Sequence, residues 1–180
     1  MVSDRSAVRG RSAVRSGGLD IVAAEAADAG EIWTVQRAAY LDEAQAYGDP
    51  YIAALTETQE QVAGHMAAGF PLLKAVSGTR IVGIVRGRST GPTFLVNRLA
   101  VVPDQRRKGI ARALLTAMER HVVELFPDVR ALALFAGQAV GDDLRLYRSL
   151  GYVETSRERI ADHLTMVHLR RQLPDPAAPV

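Results

Sequence analysis

The chain has 180 residues, a formal net charge of +2 and 48% hydrophobic residues, which fits one domain with a sizeable core rather than two small ones. It has no cysteine, which excludes disulfides, thiolate metal sites and a cysteine nucleophile, and its four histidines lack the spacing of metal ligands. So small a net charge does not favour nucleic acid as a partner. No apolar run approaches the roughly 20 residues of a membrane span, and no apolar signal segment follows the N-terminus. We therefore expect a cytoplasmic protein with no metal and no membrane partner.

The two ends of the chain are predicted to lie outside the folded domain. Residues 1–18 are rich in Arg, Ser and Gly, and the motif RSAVR occurs there twice. This composition is typical of a disordered basic leader, and a nucleic-acid-binding arm is the alternative. Residues 174–180 are predicted to form a flexible Pro/Ala tail. The domain is therefore expected over residues 19–173.

The first half of the domain is predicted to hold a strand, two helices and a strand meander. An edge strand is expected at Leu19–Val22. Amphipathic helices are expected at Asp28–Tyr40, with Asp28 as the cap, and at Thr58–Ala68. Three strands separated by Gly-containing turns follow, at Leu72–Val76, Ile81–Arg88 and Phe94–Val102.

The second half is predicted to begin with the longest amphipathic helix. Apolar or half-apolar residues recur there at helical spacing, at Ile110, Leu114, Met118, His121 and Leu125. A strand, a short helix ending at Gly151 and a strand pair are expected next, at Ala131–Phe135, Asp142–Leu150, Tyr152–Arg157 and Thr165–Arg170. This order predicts a mixed, mostly antiparallel α/β sheet flanked by about four helices.

The segment Leu99–Leu115, LAVVPDQRRKGIARALL, combines a strand end, a basic turn and a helix start. The first N–H groups of a helix have no intrahelical partner and carry positive dipole, so the turn predicts an anion site. Gly109 lets a ligand approach the backbone closely. The chain contains neither GxGxxG nor GxxxxGK[ST], which disfavours hydride transfer and nucleotide hydrolysis. The alternative is an ordinary solvated helix start.

Two motifs resemble the GNAT superfamily of acyl-CoA-dependent N-acetyltransferases. The turn, read as Arg106-Arg107-Lys108-Gly109-Ile110-Ala111, is similar to the family's motif A, Arg/Gln-x-x-Gly-x-Gly/Ala. Asp143–Tyr152, DLRLYRSLGY, is similar to the family segment Asn-x-x-x-Tyr-x-x-x-Gly-Phe/Tyr. The resemblance implies a V-shaped sheet that splays beside the third long strand, acetyl-CoA as co-substrate and a homodimer.

The resemblance also implies a set of cofactor-binding residues. They are Leu99, Ala100, Val101, Arg106, Arg107, Lys108, Gly109, Ile110, Ala111, Arg112 and Asp143. Leu99–Val101 match the segment where GNAT strands bulge, so that freed main-chain groups bind the pantetheine arm and a backbone N–H polarises the thioester carbonyl. Arg107 replaces a frequent Gly and is expected to supply its N–H at a negative φ. Asp143 replaces Asn, which brings a carboxylate close to a polyanionic ligand.

Tyr147 is the predicted general acid, because the matching family tyrosine lies near the thioester sulfur and can protonate the departing thiolate. A core tyrosine with a satisfied hydroxyl is the alternative. The long strand reads Leu95-Val96-Asn97-Arg98 where many GNAT enzymes have a glutamate base. Glu57 and Glu43 are therefore the candidate bases, and a helix-start or surface charge is the alternative for each.

The segment Tyr40–Leu55 contains three tyrosines and three acids around a Gly-Asp-Pro turn. It is predicted either as a mobile acceptor lid or as an ordinary connection between helices. The predicted activity is acetyl transfer to a primary amine of a small molecule or peptide, by direct attack in a ternary complex. The alternatives are an inactive acyl-CoA-binding or sensing module and a nucleic-acid-binding protein. Antibiotic, polyamine, amino-acid and protein amines all stay open as acceptors.

Overall fold

The computed structural model describes residues 14–16, 18–138 and 141–174, and these residues form one eight-stranded sheet with helices packed on it. The strands are β1 Val14–Ser16, β2 Leu19–Ala23, β3 Leu72–Ser77, β4 Arg80–Thr90, β5 Thr93–Val101, β6 Ala131–Gly137, β7 Val153–Ala161 and β8 Leu164–Gln172. The helices are α1 Ala29–Tyr47, α2 Ala53–Thr56, α3 Gln59–Ala67, α4 Ile110–Leu125 and α5 Gly141–Ser149. The predicted mixed, mostly antiparallel α/β fold is confirmed, with the short α2 added.

The sheet divides between β5 and β6. The strand order is β1-β2-β3-β4-β5-β6-β8-β7, and β5 and β6 form the parallel pair while the other neighbours run antiparallel. This parallel pairing covers only Thr93–Leu95 against Ala131–Ala133. Among the described residues, no strand pairs with the rest of β5 on that side, as the predicted splay beside the third long strand requires. An edge of β5 that β6 does not cover therefore faces the gap.

The hydrophobic core packs α1, α3 and α4 against the sheet, and the buried residues of α4 recur at helical spacing along one face. Gly83 of β4 lets α4 come close, because a Cβ there would lie 2.9 Å from the Ala100 carbonyl oxygen and 3.1 Å from Leu114. Close packing at this point fixes the start of α4 against the end of β5, which positions the basic turn between them.

Helix α1 is longer than the sequence predicts. It continues past Tyr40 to Tyr47 and ends at Gly48, whose left-handed φ of 63° lets its N–H bond to the last carbonyls. Much of the segment predicted as a lid or a connection is thus helix. Asp28 stands at the N-cap position of α1, but its side chain makes no capping bond to that helix. Its Oδ2 accepts instead from the Glu25 N–H and from Lys74 Nζ, each at 2.6 Å.

The N-terminal boundary also differs from the prediction. Val14–Ser16, expected within the leader, pair antiparallel with Leu19–Ile21, so β2 is not an edge strand. The rest of the predicted leader, residues 1–13 and 17, lies outside the described residues, as do residues 175–180 of the predicted tail. Among the helices of the described ranges, none is long and apolar enough to cross a membrane.

Candidate active site

A cavity of about 960 Å³ lies in the gap between β5 and β6. Its walls come from α1, the end of β5, the start of α4, β6, α5 and the β7–β8 hairpin. The structure brings the predicted general acid and all the predicted cofactor-binding residues except Lys108 to this cavity. They are Leu99, Ala100, Val101, Arg106, Arg107, Gly109, Ile110, Ala111, Arg112, Asp143 and Tyr147.

The basic turn presents main-chain N–H groups to the cavity. Gly109 is the N-cap of α4 with φ 79°, and it provides no side chain to cap the helix. A Cβ at Gly109 would meet nothing within 4 Å, so the space above the helix start is open. Arg107 has φ 63°, against the negative φ expected for it. Two left-handed residues this close make a concave backbone, which is a favourable shape for an anion.

The side chains of the turn are arranged differently from the expectation of a simple cationic cluster. The Arg106 guanidinium points to α1, where it donates to the Ala39 carbonyl at 2.9 Å and pairs with Asp42. Lys108 Nζ donates to Gln105 Oε1 at 2.9 Å and does not line the cavity. The Arg106 side chain therefore ties the turn to α1, and the Lys108 side chain lies outside the cavity walls.

The free edge of β5 carries the next group of polar atoms. The main-chain N–H and C=O groups of Leu99 and Val101 point away from β4. This follows from the alternation along a strand, because the neighbouring Val102 N–H donates to the Val82 carbonyl of β4. The Tyr40 hydroxyl of α1 donates to the Leu99 carbonyl at 3.1 Å and accepts the Leu99 N–H at 3.4 Å. The bulge lies at the Asn97 position, where the β4 register shifts, and not at the predicted Leu99–Val101. The main-chain groups of Leu99 thus face the gap because the sheet splays, and not because the strand bulges there.

Tyr147 and Asp143 of α5 form the wall opposite this edge. Tyr147 is 6% exposed, and its ring lies edge-on to Tyr152 at 6.1 Å between centroids. Burial, and then the nearby Asp143 carboxyl, raise the pKa of the Tyr147 hydroxyl well above its ordinary value. Burial also raises the pKa of Asp143, against the effect of Arg106. The Tyr147 hydroxyl therefore keeps its proton near neutral pH.

Glu43 of α1 is the cavity carboxyl group whose pKa is raised close to neutral pH. Burial, and then the Asp143 charge, raise its pKa to about 7, while Arg98 acts in the opposite direction. A carboxyl with a pKa close to neutral is suited to accept a proton at physiological pH. Tyr40, Glu43 and Tyr47 all line the cavity, as residues three and seven positions apart on one helix should. That periodicity is the signal that could have favoured Glu43 over Glu57 as the candidate base, but the predicted helix ended at Tyr40.

Glu57, the other candidate base, is placed outside the cavity walls and forms a buried structural ion pair. Its carboxylate accepts from Gln36 Nε2 at 2.7 Å and from Arg86 at 2.8 Å, and Arg98 lies 3.6 Å away. Burial raises the pKa of Glu57, but the bonds from Gln36 and Arg86 outweigh it and leave this pKa below its ordinary value. A carboxylate held in that way is a poor base, so the candidacy of Glu57 was wrong.

The part of the cavity away from the α4 turn is mostly apolar. Phe135 of β6, Ile160 of β7 and Met166 of β8 line it together with Ile52. Gly137 at the end of β6 leaves room for α1, because a Cβ there would lie only 1.7 Å from the Tyr47 hydroxyl. Across the described ranges, no group of three or more His, Cys, Asp or Glu residues is placed to hold a metal ion.

Comparison with known families identifies the domain type. The acetyltransferase (GNAT) domain matches residues 38–173, which is most of the chain. A comparison with curated protein sequences finds no significant match.

Solved structures of low sequence identity share the fold. The ribosomal-protein-S18-alanine N-acetyltransferase from Escherichia coli has a TM-score of 0.71 at 15% identity, over 90% of this chain and 99% of that chain. The protein yncA from Salmonella typhimurium, solved with its cofactor acetyl-CoA, has a TM-score of 0.70 at 18% identity, over 91% and 99%. The paia N-acetyltransferase from Thermoplasma acidophilum, solved with coenzyme A, has a TM-score of 0.68 at 14% identity, over 86% and 99%.

Proposed function

This chain belongs to the GNAT acetyltransferase family, and on that basis we propose that it transfers the acetyl group of acetyl-CoA to a primary amine by direct attack. The observation that carries the proposal is that one cavity holds an open helix start, a free strand edge, a neutral buried tyrosine and a carboxyl with a pKa of about 7. These are the parts that amine acetylation needs: an anion site, a carbonyl-polarising donor, an acid and a base.

The residues of the cavity fit an acyl-CoA. The N–H groups from Gly109 to Arg112 begin a 16-residue helix, and the open space above Gly109 suits a diphosphate. Leu99 and Val101 offer main-chain donors and acceptors to the amides of a pantetheine arm, and Asp143 offers a further acceptor. When bound, acetyl-CoA supplies an acetyl group activated as a thioester. Ala100, Arg106, Arg107 and Lys108 are included among the cofactor-binding residues on the family resemblance.

Glu43 accepts the proton of the incoming amine. An amine with a pKa of about 10.4 is neutral in only about one molecule in a thousand near pH 7.4, so a base beside it increases the reactive fraction. The Glu43 carboxylate receives that proton at one of its oxygens, since a pKa of about 7 leaves it largely ionised at this pH. Attraction between the carboxylate and the ammonium also brings the acceptor to the site.

A main-chain N–H on the free edge of β5 polarises the carbonyl under attack, and Tyr147 protonates the departing sulfur. The phenol holds its proton until the C–S bond breaks, because burial disfavours the phenolate. The proton that the amine nitrogen loses on attack, relayed by Glu43 and solvent, returns to the Tyr147 oxygen, so that no phenolate persists. The chain needs no nucleophile of its own in this scheme. We further propose that the protein is a cytoplasmic homodimer without a nucleic-acid or membrane partner. A monomer mass in light scattering would refute the homodimer.

The test is a thiol-release assay with acetyl-CoA and a panel of amines, combined with mass spectrometry of the amine and a thermal-shift measurement. Acetyl-CoA should raise the melting temperature of the protein. When an amine acceptor is added, the protein should release the CoA thiol and produce the acetylated amine. A shift without transfer to any amine would indicate an acyl-CoA-binding or sensing module, and no shift would contradict the cofactor site.

A matched pair of variants separates the anion site from backbone strain. Gly109→Glu and Gly109→Ala both place a side chain at φ 79°, where any residue but glycine is strained, so both should lose stability. Only Gly109→Glu adds a negative charge to the proposed diphosphate site. Isothermal titration should therefore show acetyl-CoA binding for the Ala variant and none for the Glu variant. Equal affinities in the two folded variants would refute the anion site.

A further inference from the structure

The acceptor half of the cavity leaves large apolar side chains in contact with water. We define the acceptor wall as Ile52, Phe135, Ile160, Leu164 and Met166. Phe135 is 42% exposed and Ile160 54% exposed, although both line a concave site. Apolar surface gathered in a pocket, rather than scattered over the protein, is typical of a binding site for an apolar group.

The acceptor wall meets carboxyl groups where it approaches the centre of the cavity. Glu43, Asp143 and Asp49 all line the cavity. Glu43 and Asp143 lie close enough for the Asp143 charge to raise the pKa of Glu43. Asp49 is held elsewhere, because its Oδ1 accepts the Tyr51 N–H at 2.8 Å and its Oδ2 lies 3.8 Å from His163 in the β7–β8 turn. The pair of Glu43 and Asp143 is therefore the group that binds the reacting ammonium.

The arginine side chains that line the cavity bind to groups outside the acceptor wall. Arg106 pairs with Asp42, and Arg112 donates to the Ser149 hydroxyl at 2.7 Å. Arg98 donates to the Asn97 carbonyl at 2.8 Å and lies beside Glu57, while Arg107 belongs to the α4 turn. Arg98 and Arg106 act against the raised pKa values of Glu43 and Asp143, but these arginines already form ion pairs with Glu57 and Asp42. Glu43 and Asp143 would therefore repel a carboxylate carried next to the amine more than these arginines attract it.

On the basis of the proposed acetyl transfer, we propose that the acceptor is a small primary amine on an aromatic or branched-alkyl body, with no carboxylate next to the amine. The ammonium binds at the Glu43 end, and the apolar body covers Phe135 and Ile160. Free amino acids are disfavoured by like charge. Polyamines are disfavoured because their second ammonium would lie against the apolar wall.

The experiment compares kcat/KM for phenethylamine, phenylalanine, phenylalanine amide and spermidine at saturating acetyl-CoA. Phenethylamine should exceed phenylalanine by about tenfold or more, because the two differ only by the carboxylate. Phenylalanine amide, which lacks that charge, should recover most of the difference. Preference for phenylalanine or spermidine would overturn the inference. So would efficient transfer to a lysine peptide but not to phenethylamine.

Two variants test the acceptor wall itself. Phe135→Ala should lower kcat/KM for phenethylamine by about tenfold and leave the KM for acetyl-CoA nearly unchanged. Phe135→Leu should restore most of the loss. Val153→Ala is the matched control, since Val153 is 67% exposed and outside the cavity walls. Equal rates for wild type and Phe135→Ala with phenethylamine would overturn the proposal.

The outcomes distinguish this inference from the function on which it rests. Transfer to some other class of amine, with no response to Phe135→Ala, would refute the acceptor class and leave acetyl transfer standing. If acetyl-CoA causes a thermal shift but none of the amines leads to thiol release, acetyl transfer and the acceptor class are refuted together. Binding of phenethylamine in the presence of CoA, measured by saturation-transfer NMR, is an independent readout that does not require turnover.

Discussion

Replacing Glu43 by Gln should make the protein more stable above neutral pH while removing most of its activity. Burial, and then Asp143, raise the pKa of Glu43 from 4.5 to about 7, so the folded state holds the proton more tightly than the unfolded state. The stability cost is therefore small near pH 5, grows as pH rises and is complete above about pH 7. At about 1.4 kcal/mol per pKa unit it reaches at most about 3.5 kcal/mol. Water in the cavity screens the charge, and we expect about 1 to 3 kcal/mol.

The assay is thermal and urea unfolding of wild type and Glu43→Gln at about pH 5 and about pH 8.5, with turnover measured in parallel. Glutamine is neutral at both values, so the variant should melt several degrees higher at the upper pH and almost equally at the lower one. Turnover should fall by about 10²- to 10⁴-fold, as for loss of a general base. Glu124→Gln, at an exposed position on α4, is the control and should change neither. A stability gain independent of pH, or near-normal turnover, would refute the assignment of Glu43.

Three further substitutions test other parts of the site. Tyr147→Phe keeps the ring and removes the acid, so turnover should fall by about 10²-fold or more with acetyl-CoA affinity and melting temperature little changed; a loss of stability alone would make Tyr147 a core residue. Arg107→Gly should be more stable than Arg107→Ala by about 1 kcal/mol in urea unfolding, because both lose the side chain but only Gly accepts φ 63° without strain; equal stabilities would contradict the left-handed turn. Tyr40→Phe removes two hydrogen bonds to Leu99 that the pantetheine arm must displace, so isothermal titration should show acetyl-CoA binding up to about tenfold tighter; weaker binding would show that the hydroxyl supports the ligand.

The parts of the fold that follow from local sequence were predicted well. Apolar periodicity and glycine-containing turns located the strand meander and α4, since each element there carries its own period and its own stop signal. The basic turn was recognised because Gly109 and the charges before it are adjacent in the chain. The left-handed φ of Arg107 was not predicted, because arginine has no intrinsic preference for that conformation and the turn imposes it.

The contacts that complete the site join residues far apart in the chain, and single residues do not reveal them. Tyr40 reaches Leu99 across 59 positions, and Arg106 reaches Asp42 across 64. The apolar periodicity of α1 weakens after Tyr40, so the helix was predicted to end before Glu43. Glu57 and Glu43 looked alike as sequence, and only the burial of Glu57 against Arg86 separates an ion-paired carboxylate from a proton acceptor.

The transfer of a radiolabelled acetyl group from acetyl-CoA to phenethylamine tests the central claim most directly. With wild-type protein, we predict one acetylamine for each CoA thiol released, no label bound to the protein after quenching, and parallel loss of both products in Glu43→Gln. Label retained on the protein would contradict direct attack by the amine. Thiol release without labelled amine, across this amine and the rest of the panel, would contradict acetyl transfer itself.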